Sequence, residues 1–169
     1  MIQQAKIQQV MLSLLEEYTG CVCVPSNTTK QMPAYPYISF SVINTDTKKG
    51  TYAATKVNRD GLETAVKFMP VSQKWSFTVL SDKDAEALEK AMLVSDFFQE
   101  VKRQDLADND IIVADVGAIT PRDNLLTIEY EYRKGLDVTI STNNIVEDTR
   151  SNETIDEIVI NDIIISEKE

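Results

Sequence analysis

Residues 125–141 read Leu-Leu-Thr-Ile-Glu-Tyr-Glu-Tyr-Arg-Lys-Gly-Leu-Asp-Val-Thr-Ile-Ser. Their period of two points to a strand. Leu126, Ile128, Tyr130 and Tyr132 fall on one side of it, and Thr127, Glu129, Glu131 and Arg133 on the other. After Lys134-Gly135 the alternation resumes, with Leu136, Val138 and Ile140 inward and Asp137, Thr139 and Ser141 outward. Gly135 suits a turn or a bulge, since it takes positive φ without a Cβ penalty. The stretch is a long bent strand or a tight strand pair, with one buried face and one charged face fitted for contact or for water.

The rest of the chain supplies partners for it. Ile7, Val10, Met11, Leu14, Leu15 and Tyr18 repeat at helical spacing, so 2–18 is expected as a helix with one apolar stripe, ended by Thr19-Gly20. Cys21–Val24 reads as a short strand, and Pro33 and Pro36 keep the chain extended before a strand at 37–45 with Ile38, Phe40 and Val42 inward. Residues 46–61 read as a polar loop, solvated or projecting toward a partner. Lys48, Lys49, Lys56 and Arg59 against Asp46 and Asp60 give it a local balance of +2. A strand at 62–68 is expected to stop at Pro70. Another follows at 73–80 with Trp75, Phe77 and Val79 on one face. Ser81 is placed as the N-cap of a helix reaching about Met92 and burying Ala85, Leu88 and Met92. A short helix over 96–104 anchored by Phe97, Phe98 and Val101, a buried strand at 111–116 and a turn at 120–124 complete the domain. The order predicts a single α+β domain, with a mostly antiparallel sheet and two to three helices packed on one face.

The character changes after Asn144. Residues 147–169 hold eight acids and two bases, a net of −6 out of the chain's −10. Ile155, Ile158, Val159, Ile160, Ile163, Ile164 and Ile165 are nonetheless strongly β-prone. The division expected is a domain at 1–145 and an acidic, β-prone, extended C-terminal arm at 146–169, paired with its own sheet edge or with a neighbour's.

Composition removes whole classes of function. The chain has no histidine, so Ser-His-Asp and Cys-His arrangements are absent. Cys21 and Cys23 are its only cysteines, too few for a zinc set, and they are expected as reduced thiols. Neither a Walker loop nor Gly-x-Gly-x-x-Gly occurs. Asp82-Lys-Asp84-Ala-Glu86 lacks the glycine of a calcium loop and is better read as the acidic start of a helix. Glu129 and Glu131 on one strand face read as ion-pair or interface residues, although a small carboxylate-dependent hydrolase is the enzyme alternative. No enzymatic activity, metal or cofactor is expected. With 169 residues, a charge of −10 and a pI near 4.5, the chain lacks the basic footprint of a duplex-binding protein. No signal peptide and no membrane span are read.

Three segments, in order, resemble one family. Tyr130-Glu-Tyr-Arg-Lys-Gly-Leu-Asp-Val-Thr-Ile140 is similar to the late strand of the neck or tail-terminator proteins of tailed bacteriophages. Tyr35-Pro-Tyr-Ile-Ser-Phe-Ser-Val42 resembles the family's first long strand, and Gln73-Lys-Trp-Ser-Phe-Thr-Val-Leu-Ser-Asp82 its central strand leading into a helix. The resemblance spans about 1–145. It implies a structural virion protein of the neck, assembled in the host cytoplasm, that caps the tail tube as a ring, expected as a hexamer. That ring stops tail polymerisation and joins the tail to the head connector or stopper protein. Its partners would be copies of itself, the tail tube protein and the connector, with the tail sheath a further candidate and genomic DNA only passing through the hole. Another neck component is the alternative within this class, and a monomeric binding module the alternative outside it. Residues expected at subunit or partner contacts are Glu129, Glu131, Arg133 and Asp137 on the charged strand face, Lys48, Lys49, Lys56 and Arg59 in the polar loop, and Ile155, Ile158 and Ile160 in the arm.

Overall fold

The structure, a computed structural model of the chain, describes residues 2–29, 31–51, 53–59, 62–125, 130–148, 159–160 and 163–164. Helix α1 (Gln4–Thr19) forms on the apolar stripe: Ile7, Met11 and Leu15 are buried, and Val10, Leu14 and Tyr18 pack at the core's margin. Gly20 closes it at φ 69°, its N–H donating to Glu16 O, a left-handed position that a Cβ would strain. Strand β1 (Val22–Pro25) pairs parallel with β2 (Tyr37–Lys48). Cys21 is buried, Cys23 is half-buried and both are free thiols. Burial, then the Glu16 carboxylate, pushes the Cys23 thiol up to about 12, so it stays protonated at neutral pH.

The sheet runs β1-β2-β4-β8 around two long antiparallel strands, β4 (Leu62–Ser81) and β8 (Tyr130–Asp148), and ends on β5 (Ile112–Val116). Strand β3 (Ala53–Arg59) pairs with β4 beyond the end of β2, and β6 (Thr120–Pro121) and β7 (Asn124–Leu125) pair with β8 beyond β5. One face carries the helices. Ile38, Phe40, Trp75, Phe77, Val79, Leu136, Val138 and Ile140 form a continuous core with α1, with α2 (Asp84–Asp96) and with α3 (Arg103–Ala107). The single α+β domain expected from element order is the architecture found. Strands β9 (Val159–Ile160) and β10 (Ile163–Ile164) pair with each other.

Six local readings are corrected. Pro70 does not stop a strand; β4 passes through it. Pro70 O accepts from Lys49 N–H, so the side of Pro70 that lacks a donor faces the junction where β2 ends and β3 begins, and proline removes only the reciprocal bond to Lys49 there. The expected loop at 46–61 is largely strand, the end of β2 followed by β3. The segment 120–124, read as a turn, runs as β6 and the start of β7 along β8. Strand β5 is an edge strand with Val113 buried and Ile112 47% exposed, not buried on both faces. Antiparallel pairing of Leu125 with Tyr130 excludes a single strand over 125–133; Leu126, Ile128 and Glu129 lie outside the described residues.

The sixth concerns the second helix. Ser81 ends β4 instead of capping α2, whose N-cap is Lys83; its hydroxyl donates to Glu86 Oε2 at 2.5 Å and accepts from Lys83 N–H. The residues turned to the sheet are Ala87, Ala91 and Val94, while Ala85, Leu88 and Met92 lie outward. The core beneath already holds Trp75, Phe77, Phe97 and Phe98, so only small side chains let the helix close on it. A π-helical turn (Phe97–Val101) follows. It carries two adjacent aromatics inward, edge to face at 4.8 Å. Val101, expected as an anchor, is half exposed.

These contacts separate two substitutions one residue apart. Ala91→Leu should cost about 1–3 kcal/mol by overpacking, and Met92→Ala should stay within about 0.5 kcal/mol; urea midpoints at constant m-value measure both.

Candidate assembly surface

The face of the sheet away from the helices is built in rows across β2, β4 and β8. Ser41, Ser76 and Asp137 share one row, Ser39, Thr78 and Gly135 the next, and Tyr37, Leu80 and Arg133 the third. Arg122 reaches over this face from beside β8, where its N–H donates to Arg133 O. Its guanidinium donates to Ser76 Oγ (2.7 Å), Thr78 Oγ1 (3.1 Å) and Asp137 Oδ1 (3.0 Å). Ser76 Oγ donates to Asp137 Oδ1 at 2.8 Å, and Lys74 Nζ lies 3.2 Å from Asp137 Oδ2. Burial pushes the Asp137 carboxyl up, but the bonds from Arg122, Ser76 and Lys74 together outweigh it and hold the group below the usual carboxylate range.

This clasp explains Gly135, which is neither turn nor bulge but lies inside β8. A Cβ there would meet Arg122 Cζ and Nε at 2.6 Å. The glycine is a channel for the arginine side chain, a reason for strand glycine distinct from positive φ. Lys134 points the other way, paired with Asp84 at 2.7 Å and Asp123 at 3.2 Å. The bond to Asp84, working against burial, raises its pKa. It ties the start of α2 to β8. Asp123 accepts from Arg133 N–H at 2.8 Å, and this bond first, then Lys134, lowers its carboxyl.

Among the sequence-chosen residues, Glu131 is only 6% exposed. Tyr35 Oη donates to its Oε1 and Arg133 Nε to its Oε2, both at 2.6 Å. The hydrogen bond to Glu131 is the main cause raising the Tyr35 phenol, with burial next. Tyr35 stacks on Tyr37 at 5.6 Å, beside a cis Tyr35–Pro36 peptide. So on the face read as charged and outward, Glu131 and Arg133 pair with each other, and Asp137 is held by Ser76, Arg122 and Lys74. Glu129, Ile155 and Ile158 lie outside the described residues, and Ile160 is paired with Ile163 in the β9–β10 ladder.

The polar segment contributes a second feature. Lys48 and Lys49 are exposed at the end of β2, and Lys56 and Arg59 sit on β3 in register with Ala65 and Leu62. Strand β4 has 20 residues and α2 has 13, about 65 Å against about 20 Å. The sheet therefore runs on past the helices as an arm of β3, the first part of β4 and the end of β8. Ala53, Phe68 and Ile145 form one row across it, with Phe68 40% and Ile145 45% exposed. The missed signal was Asp60-Gly61 between two β-prone runs, the strongest short hairpin cue. On the helix layer, Leu88 and Met92 are 38% and 51% exposed. Among the described residues no group of three or more Cys, Asp or Glu side chains is placed to hold a metal ion.

Two outcomes test the clasp. Gly135→Ala and Arg122→Ala should each destabilise the fold, while Gly135→Ala added to Arg122→Ala should cost little, a coupling of about 1 kcal/mol in a double-mutant cycle. The lowered Asp137 and Asp123 carboxyls bind protons less readily folded than unfolded. They add stability above the ordinary value of 3.8, and it is lost as pH falls through their lower folded values. Asp137→Asn should flatten this acid limb in urea melts taken between about pH 2 and 5.

A comparison with curated proteins finds no match to this chain. A sequence profile described as phage neck terminator protein matches residues 7–169, nearly the whole chain and including the acidic C-terminal stretch that the resemblance in the sequence did not cover. The chain thus belongs to the phage neck terminator protein family, a family of structural components of the virion.

Proposed function

We propose that the chain closes into a ring, a hexamer, on the last ring of the tail tube, stops the tube's growth and offers the head connector its docking surface, with DNA passing through the hole. Family membership supports the neck role. The observation that carries the ring is the arm: strands continue past the helix layer and expose an apolar row at Phe68 and Ile145, where a monomer would gain nothing from apolar surface. The internally clasped outer face and the charge of −10 fit a protein that must let DNA pass without holding it. Glu131, Arg133 and Asp137 act in this reading as stiffeners behind the contact, and the residues that meet neighbours lie on the arm.

The test is mass by light scattering, alone and with purified tail tube protein, together with electron microscopy of tails assembled without the chain. A ring mass on the tube and over-long tails without it are expected; a monomer that never caps a tube overturns the reading. Residues 149–169 are assigned to the same contact. A chain ending at Asp148 keeps the whole of β8 and should show an unchanged urea midpoint but cap tubes poorly.

A further inference from the structure

We propose that the outer edge of β3 is the strand acceptor of the ring junction, and that residues 153–160 of the next copy join it as an antiparallel strand, with Asp156 opposite Lys56 and Glu153 opposite Arg59. The proposal rests on the ring reading above and names its interface. Exposed strand edges invite pairing, and folds blunt them. Other edges of this sheet are blunted by named groups. On β1, Glu16 Oε1 accepts from Cys23 N–H at 2.7 Å. The end of β2 carries two register shifts, and Asn44 Oδ1 accepts from Asp46 N–H. On β5, Arg103 donates to Val113 O at 3.3 Å, next to a further shift. Where β8 passes beyond β5, Asp110 accepts from the backbone and side-chain N–H groups of Asn143. Strand β6 ends in Pro121. Strand β3 instead keeps seven residues in unbroken register with β4, with no proline, and among the described residues no side chain bonds to its outward backbone.

Charge says what this edge takes. Residues 47–59 hold Lys48, Lys49, Lys56 and Arg59 and no acid. Glu63, the one acid of β4 alongside β3, lies opposite Asn58, a strand further in. Bases on an edge set like charges together when two copies of that strand meet, and leave it open to an acidic strand. Residues 153–162 hold Glu153, Asp156, Glu157 and Asp162 and no base, among Ile155, Ile158, Val159 and Ile160. Lys56 and Arg59 are three residues apart, and so are Glu153 and Asp156, so one antiparallel register pairs both charges directly. That register also sets Val57 against Ile155, Ala54 against Ile158 and Ala53 against Val159. A parallel register with the same charge pairs would leave Ile158, Val159 and Ile160 beyond the end of β3. Among the described residues β9 and β10 pair only with each other, and a two-stranded hairpin is marginal in water until a third strand joins it.

The donor is a neighbouring copy. Asp148 ends β8 level with Ala65, which is level with Lys56. Beside Arg59 of its own copy, Glu153 would lie three strand spacings across, about 14 Å, and three residues further along, about 10 Å. The five residues from Asp148 to Glu153 reach at most about 18 Å, which leaves no slack to pass round β4 and β3. Each copy therefore gives one segment and receives another, the head-to-tail contact that rings larger than two require.

The experiment uses full-length chains with one added cysteine each, Val57→Cys or Ile155→Cys, under conditions where the unaltered chain forms rings, alone or on tube ends. Mixed and oxidised, the two variants should give a disulfide-linked dimer of one copy of each, which neither gives alone. A chain carrying both substitutions should give linked multimers up to the full ring. As a second arm, Lys56→Glu with Arg59→Glu, and Glu153→Lys with Asp156→Lys, should each raise the concentration needed for assembly by about tenfold, and all four together should restore it. Rings whose mixed cysteine variants do not link overturn the junction and leave the ring standing. Charge reversals that all four together fail to restore overturn it as well. A doubly substituted chain that links only within one copy assigns the β3 edge to the chain's own C-terminal segment, against the proposal. An unaltered chain that is monomeric even on tube ends overturns the ring reading and the junction with it.

Discussion

The ladder between β4 and β8 is the constraint on which the rest depends. It runs without a register shift from Ala65↔Asp148 to Ser81↔Tyr132. Because side chains alternate with a period of two, this one register decides both faces at once. It puts Trp75, Phe77, Leu136 and Val138 under the helices, and it puts Ser76 opposite Asp137 and Thr78 opposite Gly135 on the other side. A slip of one residue would bury Asp137 and expose Leu136. It would also remove the glycine from beneath Arg122. The apolar core and the polar clasp therefore enforce the same alignment from opposite faces of one sheet.

The clasp and the core differ in how they hold. Core burial is non-directional and tolerates rearrangement at constant volume. The Arg122–Ser76–Asp137–Lys74 set is directional and needs each partner at hydrogen-bond distance. Lys134, bridging β8 to the start of α2, extends this polar specification into the helix layer. Local packing can thus vary while the strand positions stay fixed, which matters for a structural protein whose product is a shape.

Much of this was legible in the sequence. The stripe of α1, its glycine stop and the inward sets on β2, β4 and β8 follow from periodicity alone, because each element meets the core on one face. What failed did so for three physical reasons. Pro70 reads as a breaker unless one knows that its missing donor faces the junction between two partners of β4. Helix α2 carries two apolar stripes, and hydrophobicity selects the larger side chains of Leu88 and Met92 when the crowded aromatics beneath admit only Ala87 and Ala91. Glu131 looks solvent-facing because alternation gives direction but not depth; Tyr35, nearly a hundred positions away, is what covers it. On the candidate surface, local charge marks Lys48 and Lys49 as expected contact residues, whereas Phe68 was passed over because the Asp60-Gly61 hairpin cue was read as loop.

The mismatch between strand length and helix length has an evolutionary consequence. Among the described side chains, the core residues of β4 begin at Met69, so Phe68 and its row contribute little to holding the helices on the sheet. Changes there are nearly silent in folding and fully visible to whatever the arm touches. A lineage that meets an altered neighbour can rewrite Ala53, Phe68 and the lysines beside them without first acquiring compensating mutations in its interior. Fold and partner choice come under separate selection within one continuous strand.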